Sequence, residues 1–327
     1  MINFDYTKAT TPQTAINAVR KDTKALFIAG GTNLIDLMKR GVMNPQKVVD
    51  ITALPLQTIE QSGNVIRIGA LALNSAVAEN DIIKKQLPLL SQALNAGASA
   101  QIRNMATVGG NMMQRTRCPY FYDTAMPCNK REPGTGCGAL KGYNRMHAIF
   151  GASDSCIAVH PSDMCVALAA LDASVMITGP NGTRKILFTD FHRLPGDKPE
   201  KDNTLQHGEL ITAVEVPVNN GFSKRSLYTK IRDRASYAFA LVSVAAALDM
   251  KGKTIQAARL AMGGVAHKPW RLTAAENFLK GKEASVATFQ EAASLVMKEA
   301  KGYGHNDFKL TLAPNTIVQT LKTVADI

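Results

Sequence analysis

The sequence predicts an α+β protein of two domains, and three observations indicate it. The chain has 327 residues, which is longer than a usual single domain. In its first half, short strand patterns alternate with helical patterns. After Asn220 and Gly221 the pattern changes to long strands followed by helices. We therefore predict one domain over residues 1–220 and an α+β C-terminal domain over residues 221–327.

The predicted elements of the first half are bounded by glycine and polar residues. KALFIAGG is typical of a strand that ends in a glycine turn, and KVVDIT and NVIRIGAL are typical of further strands. TNLIDLMKRG predicts a helix that begins at Thr32 or Asn33 and ends before Gly41. From Asn74 onwards, the segment NSAVAENDIIKKQLPLLSQALNAG predicts one or two helices with polar caps.

The second half of the chain continues with a helix, a hairpin and a strand. PSDMCVALAALDA predicts a helix with Ser162 at its N-cap. SVMITGPNGTRKILF predicts a hairpin that turns at Asn181 and Gly182. A polar loop, DKPEKDNTLQHGELI, precedes the strand TAVEVPV. The C-terminal domain begins with strands that include a hairpin, and three predicted helices follow: TAAENFLKG, ASVATFQEAASLVMKEAKG and TIVQTLKTVADI.

Composition and charge exclude several classes of protein. The net charge is +12, but the basic residues are scattered and do not alternate with aromatic residues as in a single-strand groove. We therefore expect no nucleic-acid partner, and the charge indicates either simple solvation or an acidic partner subunit. No apolar run is long enough to cross a bilayer, and the N-terminus has no export-signal pattern. We expect no membrane insertion and no export signal in this chain.

Two glycine loops predict a binding site for an anionic group. AGGTNL, over residues 29–34, follows a strand and precedes a helix, where free amides and the helix dipole favour an anion. NMATVGGNMMQ, over residues 104–114, repeats the Gly-Gly-polar turn. The two loops together could hold one diphosphate through main-chain amides. A glycine turn alone is commonly structural, and neither loop is a GxGxxG or Walker A motif.

Four of the five cysteines fall in one irregular segment. Cys118, Cys128, Cys137 and Cys156 are separated by nine, eight and eighteen residues, so no CxxC pair occurs. This spacing disfavours common zinc sites, but zinc, two disulfides and an iron–sulfur cluster all remain open at this point. The segment is rich in proline and glycine, so we expect it to lack regular structure. Cys165 lies in an apolar helical run and is typical of a core cysteine.

Five motifs in order carry a resemblance to a known family. AGGTNL, IRNMATVGGN, HPSDMCVALAALDA, ELITAVEVP and YTKIRDRASYAFALVSVA resemble successive motifs of FAD-binding subunits in the xanthine dehydrogenase family of molybdenum hydroxylases. The cysteine loop, residues 115–157, resembles that of the subgroup with a [4Fe-4S] cluster. The resemblance is nearest to the FAD subunits of bacterial periplasmic aldehyde oxidoreductases.

The resemblance implies a fold. It implies a vanillyl-alcohol-oxidase-type FAD-binding domain of two α+β subdomains, with a boundary near residue 55. It also implies an α+β C-terminal domain of the CO-dehydrogenase flavoprotein type.

The resemblance further implies the residues that hold the two cofactors. The four loop cysteines would ligate the cluster. Asp163, Ile211 and Lys230 match positions near the flavin, and the resemblance favours a functional role over the alternatives of a helix first turn, a strand residue and a surface charge. The remaining implied FAD contacts belong to the two glycine loops: Leu26, Phe27, Ile28, Ala29, Gly30, Gly31, Thr32, Asn33, Leu34, Thr107, Gly110 and Asn111.

The resemblance implies an electron-transfer subunit of an oxidoreductase rather than a complete enzyme. Aldehyde oxidation would occur on a molybdenum-cofactor subunit, and electrons would reach FAD from [2Fe-2S] clusters of a third subunit in a heterotrimer. An external acceptor would then receive them: oxygen, a quinone, ferredoxin or a nucleotide. We expect a periplasmic complex exported on a partner's twin-arginine signal, with the cytoplasm as the alternative. A zinc-stabilised binding module and a stand-alone flavoenzyme are the rival functions.

Overall fold

Three β-sheets with helices packed on them form the framework of the protein. The computed structural model describes residues 1–218 and 220–327. Two of the sheets are antiparallel and one is parallel, so the predicted α+β class is confirmed.

The N-terminal sheet is small and parallel, in the order β1-β3-β2. The sequence prediction missed helix α1, whose start is fixed by a capping box at Thr11 and by Pro12. Helix α2 begins two residues later than the earlier of the two predicted starts, because Asn33 is its N-cap. The elements are β1 (Asp5–Lys8), α1 (Pro12–Arg20), β2 (Ala25–Ile28), α2 (Leu34–Lys39) and β3 (Lys47–Asp50).

The central sheet has five antiparallel strands in the order β4-β5-β8-β6-β7. Its strands are β4 (Ile59–Ser62), β5 (Val65–Gly69), β6 (Ser174–Gly179), β7 (Gly182–Leu187) and β8 (Leu210–Pro217). Strands β6 and β7 form the predicted hairpin, in which Gly179 pairs with Gly182. The first sheet ends at Asp50 and the central sheet begins at Ile59, while the subdomain boundary near residue 55 stays a prediction.

Helices cover the central sheet. The segment after Asn74 forms three helices rather than one or two, because the Asn80 side chain caps a new helix and Pro88 begins another. The three helices of that segment are α3 (Asn74–Glu79), α4 (Asp81–Gln86) and α5 (Pro88–Ala96). The other helices of this half are α6 (Ala100–Arg103), α7 (Val108–Met112), α10 (Asp163–Ala170) and α11 (Phe188–Phe191). Ser162 is the N-cap of α10, as predicted.

The cysteine loop, residues 115–157, contains two short helical turns: α8 (Pro119–Tyr122) and α9 (Gly138–Lys141). The expectation that it has no regular structure was therefore wrong in detail. Pro119 begins α8, where the missing N–H of proline has no cost.

The C-terminal sheet is antiparallel, in the order β12-β11-β10-β9, with three long helices beside it. Helix α15 begins earlier than predicted, because Pro314 lies inside the helix rather than before it. The elements are α12 (Asn220–Lys224), β9 (Ser226–Ile231), β10 (Val242–Lys251), β11 (Thr254–Gly263), β12 (Trp270–Arg271), α13 (Thr273–Leu279), α14 (Val286–Met297) and α15 (Phe308–Ala325).

Helix α10 joins the two halves of the molecule. All its residues after Asp163 are buried, and it packs on α5 on one side and on β10 and β11 on the other. Its apolar cluster includes Ala245, Ala247 and Ala261 of the C-terminal sheet. The two halves thus share a core, although the domain boundary near residue 220 stays a prediction. Among the described residues, no helix combines the length and the apolar character that a bilayer crossing requires.

Candidate functional site

A cleft of about 1580 Å3 lies between the two glycine loops and the C-terminal sheet. All fifteen residues predicted to contact FAD lie in its wall, namely Leu26, Phe27, Ile28, Ala29, Gly30, Gly31, Thr32, Asn33, Leu34, Thr107, Gly110, Asn111, Asp163, Ile211 and Lys230. The structure therefore brings together residues that are up to 204 positions apart in the sequence. That they contact FAD stays a prediction.

The first glycine loop is shaped by close approach to the second. A Cβ on Gly30 would lie 1.8 Å from the carbonyl oxygen of Met105, so only glycine fits there. Gly31 adopts a φ of 70°, which also favours glycine. Within the described part of the chain, the amides of residues 30–33 donate to no protein group. Such free amides beside a helix start can bind an anion.

The second glycine loop is held by the cap of α7. Thr107 Oγ1 accepts from the Gly110 amide at 3.2 Å, and the Gly109 amide donates to Ala70 O at 2.7 Å. The loop is tied to the start of α10, because Ser162 Oγ donates to Asn111 Oδ1 at 2.5 Å. These contacts fix the backbone of the second glycine loop where it lines the cleft.

The start of α10 carries a buried ion pair. Lys230 Nζ lies 2.8 Å from Asp163 Oδ2 and donates to Ala96 O at 3.0 Å. Tyr228 donates to Asp163 Oδ1 at 2.7 Å, and burial, followed by the Asp163 charge, raises the pKa of Tyr228 well above its usual range. The side chains of Lys230 and Asp163 are 3% and 9% exposed, so the alternative of a surface lysine is wrong. Ile211, on β8, is buried and lines the cleft from the sheet.

The sequence prediction missed two walls of the cleft. Residues 200–210 form one wall, and residues 233, 234 and 237–239 lie in the other. Neither segment shows a periodic pattern, and only the polar composition of the first predicted a loop. The second lies within the RDRASYAF stretch, residues 232–239, which the family resemblance included without assigning contacts.

Asp202, in the first of these walls, joins the cleft to the cysteine loop. Arg115 Nε donates to Asp202 Oδ2 at 2.7 Å, and Lys130 Nζ donates to Asp202 Oδ1 and to Pro199 O. Burial opposes the charge on Asp202, but Lys130 and then Arg115 hold the pKa of that carboxyl well below its usual range. The Arg115 amide also donates to Asn33 Oδ1 at 2.9 Å. One network therefore connects the first glycine loop and residues 200–210 with the cysteine loop.

The four loop cysteines converge. Cys128 and Cys137 face each other in an antiparallel backbone bridge, and the neighbouring Cys156 thiol lowers the pKa of Cys137. Cys118 and Cys128 share a small apolar cluster with Leu37. All five cysteines of the chain are free, and Cys165 is fully buried in α10, away from this group in sequence and element.

The surroundings of these thiols shift their pKa values in opposite directions. Burial raises the pKa of Cys118 to about 12, although the backbone N–H groups of Phe121 and Tyr120 oppose that shift. The Cys156 thiol, followed among the lowering effects by the N–H groups of Ile157, Ala139 and Leu140, lowers the pKa of Cys137. The Cys137 side chain and then burial raise the pKa of Cys156. Groups that stabilise a thiolate favour metal ligation by it.

These observations test whether the residues fit the two expected groups. The wall of the cleft combines unpaired amides with a buried ion pair, which fits a flavin dinucleotide. Four free thiols gathered in one loop fit a [4Fe-4S] cluster.

Comparison with known proteins defines the class. The family model of the FAD binding domain in molybdopterin dehydrogenase matches residues 2–219. That of the CO dehydrogenase flavoprotein C-terminal domain matches residues 226–324. The chain belongs to the FAD-binding subunits of the molybdenum hydroxylase family, which are subunits of oxidoreductases.

Individual relatives agree with this assignment. The chain is 47% identical, over 97% of both chains, to the aldehyde oxidoreductase FAD-binding subunit PaoB of Escherichia coli K12. It is 30% identical to the glyceraldehyde dehydrogenase medium chain of Sulfolobus acidocaldarius, over 90% of this chain and 88% of that one. The structure of quinoline 2-oxidoreductase from Pseudomonas putida 86 superposes over 99% of this chain and 98% of that chain, with a TM-score of 0.76 and 25% identity.

Proposed function

We propose that the chain is the FAD- and [4Fe-4S]-carrying electron-transfer subunit of a heteromeric, molybdenum-dependent aldehyde oxidoreductase. Its partners are a molybdenum-cofactor subunit, where the aldehyde is oxidised to the acid, and a [2Fe-2S] subunit that supplies electrons. An external acceptor receives them. The identity of 47% with an aldehyde oxidoreductase FAD-binding subunit supports the reaction class.

The residues of this chain supply binding and tuning rather than aldehyde chemistry. The fifteen predicted contacts in the cleft wall would hold FAD, which exchanges electrons singly or in pairs when bound. The Asp163–Lys230 pair would present a fixed charge arrangement to the flavin end of the cleft. The amides of residues 30–33 would hold the diphosphate end.

The observation that carries the cluster assignment is that four free thiols lie together in one loop, where Cys128 faces Cys137 across a backbone bridge and shares an apolar cluster with Cys118. Cys118, Cys128, Cys137 and Cys156 would be the four ligands. The cluster would be mainly structural, because its loop lies beyond the two glycine loops in the chain and is tied to Asn33 through the Arg115 amide and to residues 200–210 through Asp202.

The test is an absorption spectrum of the complex, with assays of iron, sulfide and zinc on the same sample. The proposal expects two flavin bands above a broad brown absorption, and about four irons per chain beyond those of the [2Fe-2S] subunit. A matched pair of variants locates the cluster. Cys137→Ser should lose these irons and destabilise the chain, whereas Cys165→Ser, at the fifth and fully buried cysteine, should retain them.

Three results would contradict the proposal in different ways. Flavin without the extra iron would agree with the family assignment and contradict the cluster assignment. A colourless, zinc-containing complex would favour the zinc-stabilised module. Turnover of an aldehyde by this chain alone would favour a stand-alone flavoenzyme.

We further propose that the complex works in the periplasm after export of the folded assembly on a partner's twin-arginine signal. The resemblance of the sequence motifs to FAD subunits of periplasmic aldehyde oxidoreductases motivates this proposal. Cell fractionation with and without the partner subunits tests it. The chain should reach the periplasm only when its partners are present, and a purely cytoplasmic complex would overturn the proposal.

A further inference from the structure

One histidine contacts the cysteine group through its imidazole ring. His147 Nε2 lies 3.1 Å from Cys118 Sγ, and the imidazole is 2% exposed. The other ring nitrogen, Nδ1, is buried and has no partner among the described residues. The histidine therefore has a single specific polar contact through its ring, and that contact is a cysteine sulfur.

The backbone around His147 is held by the C-terminal domain. Lys309 Nζ, at the start of α15, donates to His147 O at 3.0 Å and to Gly264 O at 2.7 Å. Asn306 Nδ2 donates to His147 O at 3.3 Å and to Ala148 O at 3.0 Å. Lys309 and Asn306 are fully buried. Two side chains from outside the cysteine loop thus fix the backbone position from which the ring projects.

The chemistry of a ligated cysteine fixes the role of the ring. A thiolate has lone pairs and no proton, so its partner at 3.1 Å must be an N–H donor. The imidazole proton then lies on Nε2. Hydrogen bonds to the sulfurs are among the features that set the reduction potential of an iron–sulfur cluster, because a donor stabilises the more negative, reduced state.

We propose that His147 is a positioning residue that donates an N–H···S hydrogen bond to Cys118 and raises the reduction potential of the cluster. The inference rests on the proposed function, since it needs the cluster on the four loop cysteines. It adds a donor that neither the cysteine spacing nor the glycine loops indicate. It also gives α15 a role, because Lys309 and Asn306 hold the donor in place.

The experiment compares the intact complex with its variants by potentiometric titration followed by electron paramagnetic resonance. His147→Phe keeps a ring without the donor, and His147→Gln places an amide N–H near the same position. His305→Phe is the matched control, because His305 is exposed and contacts the ring of Tyr143 rather than a cysteine. Iron and sulfide are assayed in each sample before the titration.

We expect His147→Phe to shift the cluster potential to more negative values, His147→Gln to recover part of that shift, and His305→Phe to leave it unchanged. Loss of iron from the Phe variant with retention in the Gln variant would also support a required donor. An unchanged potential in a fully loaded Phe variant would overturn the inference, as would loss of iron from both variants. Wild-type complex without the extra iron would instead overturn the proposed function.

Discussion

At the scale of single residues, Gly30 controls how closely the two glycine loops approach. A methyl group there would lie 1.8 Å from Met105 O, and that neighbour is backbone and cannot rotate away. We expect Gly30→Ala to separate the loops, to cost about 1–3 kcal/mol of stability through overpacking, and to lower the flavin content. The flavin-to-protein absorbance ratio and urea unfolding measure both effects.

Gly41→Ala is the control for that variant. Gly41 has a φ of 71° but no atom close to its missing Cβ, so the variant strains the backbone without a clash. It should lower stability and keep the flavin content. Equal flavin in the Gly30 and Gly41 variants would show that the contact between the loops does not shape the site.

Asp202 is the second residue whose replacement gives a testable prediction, because it forms ion pairs with Lys130 and Arg115. Asp202→Asn leaves Lys130 and Arg115 without their carboxylate, and removing one partner of a buried ion pair typically costs about 3–5 kcal/mol. The exposed pair of Lys253 and Glu283 offers a control, since Glu283→Gln should cost well under about 1 kcal/mol. Urea unfolding of both variants measures the two losses of stability. Losses of similar size would show that the buried network contributes little.

The same carboxyl gives an acid dependence with a definite sign. Its pKa is lowered in the folded state, so it stabilises the fold above the ordinary pKa of aspartate, about 3.9. That contribution is lost as the pH falls from there through the lower folded value. Asp202→Asn should therefore remove part of the acid sensitivity of unfolding below about pH 4.

At the scale of elements, the caps of α10 and α14 allow a matched comparison. Ser162 Oγ accepts from the Cys165 amide at 3.1 Å and Ser285 Oγ accepts from the Thr288 amide at 3.2 Å. Each Ser→Ala replacement should cost about 1 kcal/mol. Ser162 also donates to Asn111 in the cleft wall, so only Ser162→Ala should weaken FAD binding.

Fluorescence titration of the flavin-free protein with FAD measures this difference. If Ser285→Ala weakened FAD binding as much, the effect would come from general loss of stability. If neither variant weakened it, the contact between Ser162 and Asn111 would have no part in the site.

At the scale of the whole molecule, buried histidines make stability depend on pH. Burial is the main cause that lowers the pKa of His192 to about 4 and that of His267 to about 3. Burial likewise places the pKa of His160 well below its usual range. Below about pH 6.5 the unfolded chain therefore takes up protons that the folded chain does not.

We expect the free energy of unfolding to fall as the pH is lowered from about 6.5 to about 4, by up to about 1.4 kcal/mol per pH unit for each such histidine. Urea unfolding at several pH values measures the slope. His192→Gln should reduce it, and His305→Gln, at an exposed position, should not. A slope that is the same in wild type and in His192→Gln would contradict this origin.

Local sequence determined the parts of the fold that depend on neighbouring residues. Ser162 marked the start of α10, Asn181 and Gly182 marked the hairpin, and the two Gly-Gly turns marked the loops that line the cleft. Caps, turns and close approaches leave such signals because they require particular residue types. Helix α1 and the early start of α15 were missed, since one rests on a short apolar face and the other contains Pro314.

Only the tertiary structure decided which distant residues share the site. The family resemblance placed Lys230 near the flavin, but local sequence left a surface charge as the alternative, and only the fold buries Lys230 against Asp163. The sequence marked the stretch containing Asp202 as a polar loop, yet folding makes that carboxylate the bridge between the cleft and the cysteine loop. The sequence did not indicate that His147 contacts Cys118, because the two residues are 29 positions apart. The reason is physical: the charge state and the role of a buried polar group depend on burial and on partners that the fold supplies, and local residue patterns do not encode them.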